Sequence, residues 1–360
     1  MVFFDIIMYD KFLFLNNECM TVIQENELYR KVADACQMGT AEAFHLHSRI
    51  HRLRWFGRSD IWVKRDDELS FGVSGTKLRK HASVIPFLKQ QGIGEVVVIG
   101  GAHSNNVLSA AQTLTENNIR ITPFLLGPPH RKQGNAKLLS LFVDDNEIHW
   151  ISRSRWADCA ALANNYAEKR RSEGIKIFVL PEGAHHPLAV PGALSLLVDI
   201  LRNEREAGVR FDHIFIDAGT GMVAQSLLAG AAALERKTVF HIVVLAGLFE
   251  DFKSGLSQVI QYTGEVMQIF PVSLPDYHLY YPVTARSFGS TNRTILREIQ
   301  RIAREDGILA DPVYSAKLFL TARQTITDKR LEGNILMIHS GGGLALSGFL
   351  DHPVFHSTVE

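Results

Sequence analysis

The chain has 360 residues, 46% of them hydrophobic, enough to bury a large core and long enough for two domains. Lys and Arg total 38, as do Asp and Glu, so no global field favours nucleic acid or an anionic membrane, and a small-molecule partner is the expectation. The three cysteines, Cys19, Cys36 and Cys159, are far apart in no metal or redox spacing, which fits a reducing compartment.

Met1 to Leu15 is apolar but interrupted by Asp5, Asp10 and Lys11, which argues against a signal peptide. No run reaches bilayer length, so a cytoplasmic, non-membrane protein is expected. Residues 1–42 read as an N-terminal extension of mixed helical pattern. His45, His47 and His51 tempt a metal reading, since His47 and His51 would share a face if helical. No metalloprotease carboxylate lies between them and Arg49, Arg52 and Arg54 crowd the segment, so no metal is expected.

From Asp60 onward short β-branched runs alternate with longer amphipathic ones. Strands are predicted at 61–64, 95–99, 119–126, 148–151, 176–180, 213–216 and 238–245. Helices are predicted at 77–91, 104–116, 135–142, 156–172, 191–207 and 222–234. This rhythm argues for an α/β protein with mostly parallel, twisted sheets flanked by helices, binding its ligand at the carboxyl ends of strands. No internal repeat or low-complexity tract interrupts it.

Three loops carry chemistry. Lys77 sits where Ser74-Gly75-Thr76 leads into a helix, and an amine held partly out of water there becomes a nucleophile toward aldehydes. The plainer reading makes Lys77, Arg79 and Lys80 a solvated first turn. Ser104, Asn105 and Asn106 open a helix after a buried strand. They serve as an N-cap, as a carboxylate-binding helix start, or as both. Gly219-Thr220-Gly221, between a strand and a helix, can cradle a phosphate with backbone amides. Its spacing is neither the Walker nor the dinucleotide pattern, and a plain strand-to-helix turn is the simpler alternative.

Taken in order, Val63-Lys64-Arg65-Asp66-Asp67, Ser74 to Lys80, Gly100 to Asn106, Asp217 to Ala224, Asp311 to Lys317 and Ile338 to Gly343 resemble the fold-type II pyridoxal-phosphate enzymes. The resemblance is to the D-cysteine desulfhydrase / 1-aminocyclopropane-1-carboxylate deaminase family, and it runs from about Ala43 to Phe349. It implies a two-domain, tryptophan synthase β-like fold with pyridoxal 5'-phosphate in the interdomain cleft. The large domain would comprise 43–79 and 189–360, and the small domain 80–188. It assigns covalent cofactor attachment and acid–base work to Lys77, a catalytic hydroxyl to Ser104 and a substrate-facing phenol to Tyr314. Asn105 would meet the cofactor's phenolic oxygen, and Ser104, Asn105, Asn106 and Tyr314 the substrate. Gly219, Thr220, Gly221, Met222 and Val223 would hold the phosphate, with Ser315 and Ser340 near the ring nitrogen.

Several positions depart from the family pattern. Ser74 and Thr76 stand for Gly and Asn with the lysine kept, and Met222-Val223 stands for Gly-Thr, the last of which predicts weaker cofactor affinity. Asn106 stands for His or Gln, and His185-His186 for Ser-Asn. Ser315 resembles the Thr of desulfhydrases rather than the Glu of the deaminases, implying a milder electron sink. The function implied is a lyase that eliminates across Cα and Cβ of a small amino acid, most like D-cysteine. The alternatives are the cyclopropane deaminase, another β-elimination or replacement, and a divergent non-catalytic homologue, with a dinucleotide-binding protein behind them. The resemblance also implies a homodimer.

Overall fold

The structure, a computed structural model, describes residues 23–70, 72, 75–128, 132–270 and 273–355. Ser74, Cys19 and the first part of the N-terminal extension lie outside them. Among the described residues the strands form two sheets. The first contains β1 (Ile50–Arg52), β2 (Ile61–Lys64), β7 (His213–Ala218), β8 (Val239–Val244), β9 (Tyr277–Tyr280) and β10 (Ile335–Ile338), in the order β1-β2-β10-β7-β8-β9. Only β1 runs antiparallel. The second contains β3 (Glu95–Gly101), β4 (Arg120–Leu126), β5 (His149–Ile151) and β6 (Ile177–Leu180), all parallel, in the order β5-β4-β3-β6.

The apolar composition of these strands follows from burial on both faces. Along β7, Ile214 and Ile216 enter one core while Phe215 enters another on the opposite face. The first core takes in α6 (Val190–Ala207), α7 (Met222–Ala233) and α8 (Phe249–Met267), and the second α9 (Arg293–Asp306) and α10 (Ser315–Lys329). In the second sheet, Val96 and Val98 face α2 (Thr76–Gln90) and α3 (Asn105–Glu116), whereas Val97 and Ile99 face α5 (Cys159–Ser172). The short α4 (Asn135–Leu139) lies beside α3. Within the N-terminal extension, the helix α1 over 23–35 buries Leu28 and Val32 in the main core, so it is part of the globule.

Two expectations change. His47 and His51 do not share a helix face. They lie on an extended segment and on β1, where His47 Nδ1 is 2.6 Å from Asp199 and His51 Nδ1 is 3.1 Å from the Arg52 carbonyl. The first turn of α2 is not solvated: Lys77, Arg79 and Lys80 are 8%, 0% and 4% exposed. Arg79 is fixed by Asp66 through paired bonds of 2.6 and 2.7 Å and by Asp199 at 2.8 Å. Lys64 on β2 reaches the same Asp199 oxygen at 2.6 Å, so buried charge ties α2 to β2 and α6. No described helix is long and apolar enough to cross a membrane.

Candidate active site

A cavity of about 540 Å³ opens where the carboxyl ends of β3 and β6 meet those of β7. That volume suits a cofactor with a small substrate. Lys77 enters it from the first turn of α2, with its Nζ 4.9 Å from the centre of the Tyr314 ring. Gly75, just before it, has φ +77°, and a Cβ there would fall 2.1 Å from the Ser340 carbonyl oxygen. The Thr76 amide donates to that same carbonyl at 3.1 Å. The Lys77 turn is thereby pressed onto the turn after β10, which only glycine permits.

At α3, Ser104 is the N-cap: its Oγ accepts from the amides of Asn106 at 3.1 Å and Val107 at 3.3 Å. Accepting those bonds leaves the hydroxyl proton available to the cavity. Asn105 Oδ1 accepts from Asn135 Nδ2 at 2.6 Å, and Asn106 Oδ1 accepts from Lys80 Nζ at 3.1 Å. The capping reading holds, and the same residues line the cavity.

Gly219, Thr220, Gly221, Met222 and Val223 line the opposite wall. Gly221 caps α7 with a left-handed backbone. The amides of the following first turn have no carbonyl of their own helix to bond, so they present a positive edge. Gly183, after β6, closes over this loop: its φ is +66°, and a Cβ would fall 2.2 Å from Thr220 Oγ1. His185 and His186 follow it but do not line the cavity; the His186 ring accepts from the Leu188 amide at 3.2 Å.

Tyr314 lies over Gly219 and packs edge-on to Phe288. Burial raises its phenol well above the ordinary range, and Asp311 and Asp217 push the same way. The Ser315 hydroxyl is committed to the start of α10, donating to Asp311 Oδ2 at 2.8 Å and accepting from the Asp311 amide at 2.7 Å. Ser340 Oγ, in contrast, is buried with no hydrogen-bond partner among the described residues.

Three further groups enter the cavity that motif reading passed over. Lys80, one helical turn from Lys77, bonds to Asn106 and the Gly183 carbonyl; burial and then the Lys77 charge lower its amine to about 7. Glu182 contributes a carboxyl that burial raises. Asp217, at the end of β7, is 7% exposed with Oδ1 unpartnered among the described residues. Burial pushes this carboxyl up, against the pull of the Lys77 ammonium and the neighbouring Ser340 hydroxyl. The i, i+3 spacing from Lys77 is the signal that could have found Lys80. For Asp217 it is an acid closing an apolar strand before a glycine turn.

This set fits pyridoxal phosphate: an amine for the aldehyde, a helix start with a nearby cation for the phosphate, and orphaned polar atoms for the ring. Comparison with known proteins agrees. The family described as "Pyridoxal-phosphate dependent enzyme" matches residues 48–341. A putative 1-aminocyclopropane-1-carboxylate deaminase of Pyrococcus abyssi is 26% identical, over 79% of this chain and 84% of its own length. The D-cysteine desulfhydrase of Serratia proteamaculans is 25% identical, over 85% and 92%. The bifunctional D-cysteine desulfhydrase/1-aminocyclopropane-1-carboxylate deaminase of Arabidopsis thaliana is 28% identical, over 85% and 79%. Among solved structures, an ACC deaminase homologue superposes with a TM-score of 0.76, covering 91% of this chain and 98% of its own, at 23% identity. It therefore speaks to the fold.

Proposed function

The chain belongs to the family of pyridoxal-phosphate dependent enzymes, and from that premise we propose that it eliminates across Cα and Cβ of a small amino acid, D-cysteine being the substrate of choice. With one water, D-cysteine would yield pyruvate, hydrogen sulfide and ammonia. The observation that carries this reading is the Lys77 amine in one cavity with the α7 helix start and the Tyr314 phenol.

Bound pyridoxal phosphate supplies the electron sink that makes the Cα–H bond acidic. Lys77 would hold it covalently and is the base placed to take the Cα proton. The first amides of α7 and the Lys80 amine neutralise the phosphate; a dianion nearby favours the charged form of an amine that burial otherwise discharges. Asn105, oriented by Asn135, would hold the phenolic oxygen, while Ser104 would donate its free proton to the substrate. Asn106, held by Lys80, borders the substrate. Tyr314 stays protonated because burial raises its pKa, which suits it to donate a hydrogen bond to the departing sulfur.

The second reading is cyclopropane deamination, supported by the name of the Pyrococcus relative. Release of pyruvate from each cysteine enantiomer and of 2-oxobutyrate from the cyclopropane substrate, measured side by side, tests the choice. D-cysteine turnover above the other two is expected, and turnover of the cyclopropane alone would overturn it. We take the working form to be a cytoplasmic homodimer, as the family resemblance implies. The free, buried thiols of Cys36 and Cys159 accord with a reducing compartment.

A further inference from the structure

The cavity holds a carboxyl that the mechanism above does not use. Asp217 closes β7 two residues before the phosphate-binding turn, lines the cavity, and keeps Oδ1 unpartnered among the described residues although the side chain is more than nine-tenths buried. The β10–β7 register, Ile335 beside His213 and Met337 beside Phe215, continues to bring His339 level with Asp217, and Ser340 follows. Ser340 Oγ is likewise buried, with no partner among the described residues beyond the Asp217 carboxyl beside it. Asp217 lines the cavity and Ser340 adjoins it. An unmet buried polar group is costly, so such a pair is retained where a ligand completes it.

The chemistry of pyridoxal phosphate decides which part completes it. The phosphate and the phenolic oxygen are acceptors that a carboxylate repels, and the aldehyde is taken by Lys77. The ring nitrogen is the remaining polar atom, and it becomes a donor when protonated. Ser315 cannot donate to a neutral nitrogen there, because its one hydroxyl proton is held by Asp311. Resting on the proposed cofactor chemistry, we infer that the Asp217 carboxylate, assisted by Ser340, pairs with the ring nitrogen and keeps it protonated. Asp217 thereby supplies the negative charge that Ser315 lacks. A protonated ring is a strong electron sink, serving expulsion of thiolate and opening of a strained ring alike. Selection between such substrates then lies with the groups around the substrate, not with the ring.

The test uses the holoprotein loaded with cofactor carrying nitrogen-15 in the ring. Borohydride reduction and peptide mapping first establish that the cofactor is on Lys77. The ring resonance should then lie in the pyridinium range and remain there at a pH where the free cofactor has lost that proton. In Asp217→Asn it should move to the neutral range, with cofactor affinity about tenfold to a hundredfold weaker. Ser340→Ala should retain the pyridinium signal. Cofactor on Lys77 with a neutral ring in the natural protein, or an unmoved resonance in Asp217→Asn, would overturn the Asp217 assignment and leave the enzyme class standing. Failure to label Lys77 at all would overturn both. Should Asp217→Asn not fold, the pH series on the natural protein decides by itself.

Discussion

Replacing Asp199 by Asn tests how the Lys77 helix is anchored. The Asp199 carboxylate receives Lys64 Nζ at 2.6 Å, Arg79 Nη2 at 2.8 Å and the Ser48 amide at 3.0 Å. Lys64 and Arg79 are both 0% exposed, so neither can turn to water when that charge is lost. Together with Asp66 the four charges cancel; the substitution leaves one buried positive charge uncompensated. Breaking such a pair costs about 3–5 kcal/mol, a large part of a typical stability of about 5–15 kcal/mol. For a chain of this size that corresponds to a fall in melting temperature of roughly 4–7 °C. Scanning calorimetry of the holoproteins at neutral pH measures it. Adding Lys64→Met removes the stranded charge, so the double variant should melt above Asp199→Asn alone. The pH dependence has a definite sign. Burial opposes the Asp199 charge, but Arg79 and Lys64 overcome it and hold the carboxyl below its ordinary range. Its contribution is therefore complete above the unfolded value of about 4 and is lost as pH falls through the folded one. The gap between natural protein and variant should narrow in acid. A shift below about 2 °C, or a double variant destabilised by the sum of its parts, would refute the anchoring argument.

Gly183→Ala should displace Thr220, since the new methyl falls 2.2 Å from its Oγ1 at a left-handed backbone position. Cofactor titration by absorbance is expected to show affinity about fivefold to a hundredfold weaker, from strain of about 1–3 kcal/mol. Ser104→Ala should cost about 1 kcal/mol through loss of the α3 cap, whereas Ser104→Asn should restore stability but not turnover; equal turnover in Asn and Ser forms would reduce Ser104 to a cap. Tyr314→Phe should retain the cofactor spectrum while steady-state turnover falls by about 10²–10³, the usual loss when a hydrogen-bond donor to developing negative charge is removed.

The parallel α/β rhythm up to Leu245 was legible because each strand is a short apolar run flanked by a turn. The edge strands of the first sheet were not: β1 and β9 carry His, Arg and Tyr and are only partly buried, so they lack an apolar run. The stripe Ile295, Leu296, Ile299 and Ile302 of α9 has helical spacing and was readable from sequence. At the site, motif order brings Lys77, Ser104, Asn105, Asn106, Tyr314 and the Gly219–Val223 loop to one cavity. What motifs do not carry is the state of a charge. Nothing in Leu78-Arg79-Lys80 or Ile216-Asp217 separates a solvated ion from one enclosed by distant strands. The buried state of Lys80 and Asp217 therefore emerges only with tertiary packing, whereas the Ser315 hydroxyl is held locally by Asp311, four residues before it.

The most direct test of the central claim is to add pyridoxal phosphate to the purified protein, record the visible spectrum, reduce with borohydride and map the labelled peptide. The account predicts a stoichiometric, reducible absorbance band with the label on Lys77, abolished in Lys77→Ala. No band, or a label scattered over exposed lysines with Lys77 untouched, would contradict it.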